Sequence, residues 1–526
     1  MLILQNISYI HPNKDLLFHN INLTLNAHDK IALTGSNGIG KSTLLKIIAK
    51  ELKPSNGQLK VEGDPYYVPQ IFGQYNHLTI AQALRIEGKL NALQEILKGN
   101  VTGDNLSLLD DDWEIEERCN EALNYWKLTN INLVQTMETL SGGQKTKVFL
   151  AGLSIHQPEL ILLDEPSNHL DTQGRQLLYD CIKATQSTLI VVSHDRKLLN
   201  LLNTVCELNK NEIRVYGGNY DFYAKQKQVE KDALNHNIHG KEKALRKAKE
   251  KERETLQRQQ KLDVRGKKKQ EKSGVARIMM NTLRNKAENS TSKIKSAHTE
   301  KIGGISQELQ NLRSALPDMD KMKFGLDHSG LHKGKTLFTA TDMNFSYHSQ
   351  PLWTNDLNFQ ITSGERIVLK GLNGSGKTTL IKIILGSLET KTVYRADNKS
   401  VYIDQDYSLI DNNLKVYEQA QQFNTSALQE HEIKIRLTRF LFTKEDWNKP
   451  CSALSGGEKM RLMLCCLTIN NQSPDIIVLD EPTNNLDIRN IQILTAAVNE
   501  YQGTLIVVSH DEHFLEQINV ERIIEL

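Results

Sequence analysis

No apolar run in this chain is long. The longest, LILL (160–163) and the two copies of TLIVVS, are of core-strand length, far short of the roughly 20 residues that a membrane-spanning helix needs. The six cysteines (Cys119, Cys181, Cys206, Cys451, Cys465, Cys466) include no CxxC pair and no regular framework. They read as reduced thiols, which argues against a disulfide scaffold and against zinc modules. The opening MLILQNISYI has no basic region and no small-residue cleavage site, so no signal peptide is expected. A net charge of only +2 points to no partner by itself, so any basic surface must come from uneven distribution. Proline is absent from 167 to 316. These absences leave a cytoplasmic protein of roughly three or four domain-sized units.

What is present is an internal repeat. GSNGIGKST (35–43) returns as GLNGSGKTT (371–379), LSGGQ (140–144) as LSGGE (454–458), and LILLDEPSNHLD (160–171) as IIVLDEPTNNLD (476–487). TLIVVSHD recurs letter for letter at 188–195 and 504–511. The offset between copies is 335 at Gln70 and Gln405 but 314 at Leu140 and Leu454, so the first copy carries 21 extra residues between these motifs. The surplus falls around LKGNVTGDNLSLLDDDWEIEE (97–117), which is acidic and contains glycine and asparagine. It reads as a surface protrusion ending in a helix, an arm-like insertion at about 90–118. The expected fold is α/β: a first unit at 1–220, a basic helical linker at 221–335 and a second unit at 336–526.

The repeated motifs carry phosphate chemistry. In GxxxxGK[ST] the glycines let consecutive backbone N–H groups curl around phosphate oxygens at a helix N-terminus. Gly35, Ser36, Asn37, Gly38, Ile39, Gly40 and Thr43 make one such loop, and Gly371, Leu372, Asn373, Gly374, Ser375, Gly376 and Thr379 the other. Lys41 and Lys377 would reach the β- and γ-phosphates, while Ser42 and Thr378 would hold magnesium. LILLD and IIVLD read as buried parallel strands that end in carboxylates. Asp164 and Asp480 suit a role in the magnesium shell, and Glu165 and Glu481 a base that polarises the attacking water. His194 and His510 end further strands and would contact the γ-phosphate. Gln70 and Gln405 follow short strands and would sense both the magnesium and the water.

These motifs resemble the ATP-binding cassette superfamily over nearly the whole chain. The resemblance implies two ATP sites shared head to tail within one chain, hence a monomer with an intramolecular cassette sandwich. The loop of Lys41 would face Ser455, Gly456, Gly457 and Glu458, and the loop of Lys377 would face Ser141, Gly142, Gly143 and Gln144. It also assigns adenine stacking to Tyr9 and Tyr347. Asn485 stands where the first copy has His169, so the two sites are expected to communicate unequally.

Two cassettes with no membrane segment are similar to the ABC-F family, ATPases that act on ribosomes. VYGGNYDFYAKQKQ (215–228) matches the start of that family's interdomain helical hairpin, and residues 221–335 hold 28 basic against 15 acidic side chains. EKALRKAKEKERETLQRQQKL (242–262) is rich in strong helix formers, and 303–316 spaces Ile305, Leu309, Leu312 and Leu316 as a second helix would. Between them, VRGKKKQEKSGVARIMMNTLRNK (264–286) has a single acid, Glu271, and no aromatic residue. Composition alone would also allow a solvated spacer. The family resemblance implies binding in the ribosomal exit-site region, with this tip against ribosomal RNA and the P-site tRNA. Candidate contacts are Arg265, Lys267, Lys268, Lys269, Lys272, Arg277, Arg284 and Lys286. The lack of aromatics argues for backbone and shape recognition over base stacking. The chain stops just after ERIIEL, without the C-terminal extension some members carry, which leaves the linker as the main RNA-binding candidate.

The leading expectation is an ATP-hydrolysing translation factor. Antibiotic resistance by ribosome protection is an alternative within the same family. A transporter motor with separate membrane subunits would have no use for the basic linker, and a DNA-maintenance ATPase would usually carry zinc modules. Neutralising Lys267, Lys268 and Lys269 is expected to weaken ribosome binding and to flatten its salt dependence by up to roughly 0.9 in log–log slope per lost phosphate contact. Changing Ile278, Met279 and Leu283 should instead alter tip shape. Sedimentation with ribosomes across a salt series measures both, and an unchanged slope in the lysine variant would leave the spacer reading standing.

Overall fold

The computed structural model describes every residue except 13, 130, 273–276, 316–329, 348–349, 373, 391, 471–472 and 485, together with most side chains between 263 and 294 and those of 314–315. The described chain forms two compact units: Met1–Asp221 with Lys321–Leu526, and Phe222–Asp320.

In the first cassette a six-stranded sheet runs in the order Tyr66–Val68, Leu160–Asp164, Thr188–Val192, Lys30–Thr34, Thr204–Leu208, Ile213–Gly217. All neighbours are parallel except the last pair. The second cassette repeats the plan with five parallel strands, Ser400–Ile403, Ile476–Asp480, Thr504–Val508, Arg366–Lys370 and Arg522–Glu525. LILLD and both copies of TLIVV are buried at every position. Their near-continuous apolar sequence reflects a sheet covered on both faces.

Each central sheet packs against a smaller antiparallel one. Leu2–Ile10 pairs with Leu16–Leu25 and Asn56–Val61, and Thr336–Met343 pairs with Leu357–Thr362 and Val393–Arg395. Between the two sheets of the first cassette, Leu4, Ile7, Phe18, Leu44, Ile47, Leu162 and Ile190 close one core. Leu337, Phe338, Ile361, Leu380, Ile383, Val478 and Ile506 close its counterpart.

The surplus of the first cassette is helical and ends in a helix. The structure builds it from three helices, Glu87–Leu97, Gly103–Leu109 and Ile115–Tyr125. Thr102 caps the middle helix by accepting from the Asn105 N–H, and Asp110 ends it in the left-handed region at φ 54°. Leu109 and Ile115 are buried. Asp112, which reads in sequence as one of an exposed acidic run, instead anchors the segment by accepting from Arg118 at 2.7 and 2.8 Å and from Lys89 at 3.1 Å.

The linker unit consists of two helices, Tyr220–Lys272 and Arg277–Ala315. The second begins well before the stretch whose apolar spacing announces it, because helix-forming polar residues continue the helix without an apolar stripe. The first has 53 residues, about 80 Å of helix at 1.5 Å per residue. Arg313 bonds Glu242 at 2.5 Å, Lys241 pairs with Glu308, and Ile238 and Leu309 are buried. These contacts run the helices antiparallel. Arg265 and Lys268 are exposed. The side chains of Lys267, Lys269, Lys272, Arg277, Ile278, Met279, Leu283, Arg284 and Lys286, and Leu316, lie outside the described ones.

One packing constraint can be tested directly. A Cβ on Gly152 would sit 1.8 Å from the Tyr66 hydroxyl, which donates to the Phe149 carbonyl at 2.8 Å. Gly152→Ala must displace that ring, and is expected to cost about 1–3 kcal/mol in urea unfolding.

Candidate nucleotide sites

Parallel strands deliver their following loops to one edge of a sheet. In the first cassette that edge collects the loop 35–41 after Lys30–Thr34, Gln70 after Tyr66–Val68, Glu165 after Leu160–Asp164 and His194 after Thr188–Val192. The second cassette brings together Gly371 to Lys377, Gln405, Glu481 and His510 in the same way.

Each phosphate loop ends on a glycine that no other residue could replace. Gly40 and Gly376 precede the helices Lys41–Ile48 and Lys377–Ile384 at φ 104° and 95°. A Cβ there would approach Leu17 to 2.7 Å and Leu352 to 2.6 Å. At Gly38 and Gly374, by contrast, an added Cβ meets nothing within 4 Å, so the mouth of each loop is open. Lys41 Nζ donates to the carbonyls of Gly35 and Ser36 at 2.8 and 3.2 Å, and Lys377 Nζ to those of Gly371 and Leu372 at 2.8 and 2.9 Å. Asn373 lies outside the described residues.

The strand-end carboxylates lie beside these lysines, Asp164 and Glu165 buried and Asp480 and Glu481 partly buried. Tyr67 donates to Asp164 at 3.2 Å and Tyr402 to Asp480 at 2.8 Å. Burial raises the pKa of both aspartates. Glu165 and Glu481 sit at φ 51° and 48°, a conformation that costs a non-glycine residue energy and clusters at functional sites. Burial, reinforced by Asp164, pushes the Glu165 carboxyl up to about 8. Burial pushes Glu481 up to about 7, with the nearby Arg175 guanidinium opposing it. His194 Nε2 lies 3.2 Å from Glu165 Oε1, and His510 Nε2 lies 3.4 Å from Glu481 Oε1. Burial lowers these imidazoles to about 3 and about 4, so both rings are neutral at pH 7.

The signature serines are helix caps. Ser141 accepts from the Gln144 N–H at 3.3 Å while Gln144 reaches back to the Ser141 N–H at 2.9 Å. Ser455 and Glu458 make the same reciprocal pair, and Lys449 holds Glu458 at 3.0 Å. The glutamate that replaces glutamine therefore keeps the cap. Gln70 lines an open cleft with Gly142 and His169. Tyr9 packs against His11 and Phe18, whereas Tyr347 is exposed with its hydroxyl 3.3 Å from that of Thr379.

The cassettes touch through the segments that follow each DEP motif. Asn37 N–H donates to Asp487 at 3.3 Å, and Gln405 Nε2 lies 3.4 Å from His169 Nδ1. Thr172 Oγ1 lies 3.3 Å from His510 Nδ1, and Arg175 donates to the His510 carbonyl at 3.4 Å. Arg196 meets His513 at 2.7 Å, and Lys197 pairs with Glu512. Among the described residues, no hydrogen bond joins Ser141 or Ser455 to the opposite phosphate loop. Asn485, the counterpart of His169, lies outside the described residues.

The sequence reading missed Tyr67, Tyr402 and Trp353. The tyrosines were detectable, since they share the 335-residue offset of the two glutamines. Trp353 was not, because its role depends on a fold contact: its indole N–H donates to the Ser375 carbonyl at 3.0 Å and so braces the second phosphate loop from behind.

Two such loops, each with its strand-end carboxylates and its histidine, define a tandem ATP-binding cassette protein. The family profile described as "ABC transporter" matches residues 18–168 and 354–484. The putative ATP-binding protein YdiF of Bacillus subtilis is 31% identical over 97% of this chain and 78% of its own length. The ABC transporter F family member 5 of Arabidopsis thaliana is 27% identical, over 95% and 71% respectively. The ribosome protection protein VmlR of Bacillus subtilis is 28% identical, over 99% and 86%. The chain belongs to the ATP-binding cassette family and, within it, to the ABC-F group. No helix among the described residues is long and apolar enough to cross a membrane.

Removing the indole donor should weaken nucleotide binding at one site only. Trp353→Phe loses one hydrogen bond to the second loop, worth about 0.5–1.5 kcal/mol, so ATP affinity there should fall roughly two- to tenfold. Phe18, which backs the first loop, has no N–H to lose. Titration with a fluorescent nucleotide, one loop at a time disabled by Lys41→Ala or Lys377→Ala, measures the difference.

Proposed function

We propose that this chain is an ATP-hydrolysing, ribosome-associated translation factor in the cytoplasm. In this reading, ATP-driven closure of the cassettes governs binding at the exit-site region and hydrolysis governs release. The observation that carries the ATPase half is the pairing of a left-handed glutamate, largely shielded from water, with a neutral histidine beside each lysine-bearing loop. The ribosomal half rests on the basic linker and on the kinship with a ribosome protection protein.

The residues fit a magnesium nucleotide. Asp164 Oδ1, Glu165 Oε1 and Glu481 Oε2 are buried without a hydrogen-bond partner among the described residues, and Gly38 and Gly374 leave the loop mouths open. Ser42 and Asp164 would hold the ion in the first site, and Thr378 and Asp480 in the second, with Gln70 and Gln405 completing the shell. When bound, magnesium neutralises phosphate charge and orients the γ-phosphoryl group.

The chain's own groups do the rest. Lys41 and Lys377 exchange loop carbonyls for phosphate oxygens. Glu165 and Glu481 orient the attacking water and accept its proton, a role suited to carboxyls tuned toward neutral pH. His194 and His510 donate to the transferred group from their neutral form. Ser141, Gly142 and Gly143, and Ser455, Gly456 and Gly457, offer helix N-termini to the opposite nucleotide. Tyr347, exposed beside Thr379, is free to stack on adenine, and Tyr9 is placed for the same part in the first cassette. The linker's lysines and arginines neutralise RNA phosphates, which accounts for ribosomal RNA and the P-site tRNA as partners. The kinship with VmlR also favours a second reading, protection of the ribosome from an antibiotic.

Glu165→Gln combined with Glu481→Gln should abolish ATP turnover and hold the protein on ribosomes when ATP is present. Gradient sedimentation reads the outcome: a double variant that stays free of ribosomes with ATP rules the translation-factor reading out. Drug-susceptibility profiles of deletion and overexpression strains separate the two ribosomal readings.

A further inference from the structure

The two cassettes share their chemistry, yet they do not touch each other's switch histidines alike. Counterparts in this region are separated by 316 residues, so Thr172 answers to Ile488, Arg175 to Ile491 and Tyr179 to Thr495. Thr172 places its hydroxyl 3.3 Å from His510 Nδ1. Arg175 donates to the His510 carbonyl at 3.4 Å. Ile488 and Ile491 offer no polar atom with which to do the same for His194. His194 Nδ1 is indeed buried without a hydrogen-bond partner among the described residues.

Arg175 is itself held from its own side. Its Nε donates to the Leu170 carbonyl at 3.2 Å, and its guanidinium lies 3.7 Å from Asp195, the residue after His194. Tyr179 donates to the same Asp195 oxygen at 2.5 Å. In the second cassette the equivalent hydroxyl, that of Thr495, turns back onto its own helix at Ile491 O, and Asp511 caps Phe514. A chain of polar contacts therefore leads from the first cassette's histidine loop, through Asp195 and Arg175, to His510 of the second. Among the described residues, the counterparts Ile488, Ile491 and Thr495 make no matching chain back to His194.

We infer that Thr172 and Arg175 form a one-way clamp through which the first cassette positions His510, so that turnover at the second site depends on the first cassette while the first site lacks the reciprocal control. The inference rests on the ATPase reading above and extends it to communication between the sites. Physically, the Thr172 hydroxyl engages His510 Nδ1 and so fixes the orientation of the ring, and the Arg175 contact fixes the height of its backbone. Both are positioning residues, since each acts on His510, and Thr172 lines one cleft with that histidine and with Gly371 and Leu372 of the second loop.

Single-site backgrounds test it. Glu165→Gln leaves only the second site turning over, and Glu481→Gln only the first. Adding Thr172→Ile with Arg175→Ile should lower kcat of the second site roughly tenfold to a hundredfold, the scale of a misplaced catalytic group, with KM for ATP little changed. Turnover in the Glu481→Gln background should hold within about twofold, and Arg175→Lys should recover part of the loss. Equal losses in both backgrounds, or none in either, overturn the inference. Side-chain nitrogen NMR of histidine-labelled protein gives a readout independent of hydrolysis. Thr172→Val should shift the His510 signals and leave those of His194, and an unmoved His510 also overturns the clamp. A chain without turnover in either single-site background but with the His510 shift would instead fault the ATPase reading and leave the clamp supported.

Discussion

The register of the parallel sheets is the constraint on which both sites depend. Four strands per cassette end at one edge, and each is followed within two residues by one that the proposed chemistry uses. A slip of one residue would turn Asp164 into the sheet's interior and Leu163 toward the nucleotide edge. The runs LILL and TLIVV are apolar on both faces, so the register is pinned by the polar residues that follow them at the sheet's edge. Phe18 from the antiparallel sheet of the first cassette, and Trp353 from the bend before Leu357–Thr362 in the second, form a floor, so each phosphate loop rests on a packed ring.

Burying carboxylates at the end of such strands is costly, and the structure keeps the cost. Glu165 and Glu481 sit in strained backbone with carboxyls raised well into the neutral range. Each holds a proton that the unfolded chain would have lost from about pH 4.5 upward, so each subtracts from stability as pH rises toward the folded value. Arg175 beside Glu481 and Lys41 beside Glu165 oppose the shift without cancelling it. The lysines Lys41 and Lys377 are turned onto loop carbonyls, and burial lowers their pKa as well. The arrangement fits a site shaped for a charged ligand more than for the empty fold.

Much of this was legible in the sequence, for a physical reason. Phosphate loops, strand-end acids and helix-capping signatures are local devices: spacing along the chain sets spacing in space. Ser141 with Gln144 and Ser455 with Glu458 can be read as caps without any structure. What escaped depends on distant partners. Asp112 looked like part of an exposed acidic run because its anchors, Lys89 and Arg118, come from two other helices. Trp353 and Arg175 stand in no motif, and their contacts to Ser375 and His510 reach across the fold. The linker's second helix was seen only over its last turns, where apolar residues recur, since polar helix formers leave no periodic stripe.

The divergence between the copies also decides which surfaces can meet. If two identical first cassettes paired about a two-fold axis, the Arg196–Lys197 loop would have to face its own copy, and like charges would repel. In this chain it faces Glu512 and His513 instead. The pair between Lys197 and Glu512 is about half exposed on both sides and adds little to stability. Its weight lies in selection: opposite charges across the contact favour the first cassette meeting the second over either meeting itself. The same loops flank His194 and His510, so the substitutions that make the pairing unlike also make the polar contacts to the two histidines unlike. Specific pairing and unequal coupling thus arise from one set of changes at the start of one helix and the loop beside it.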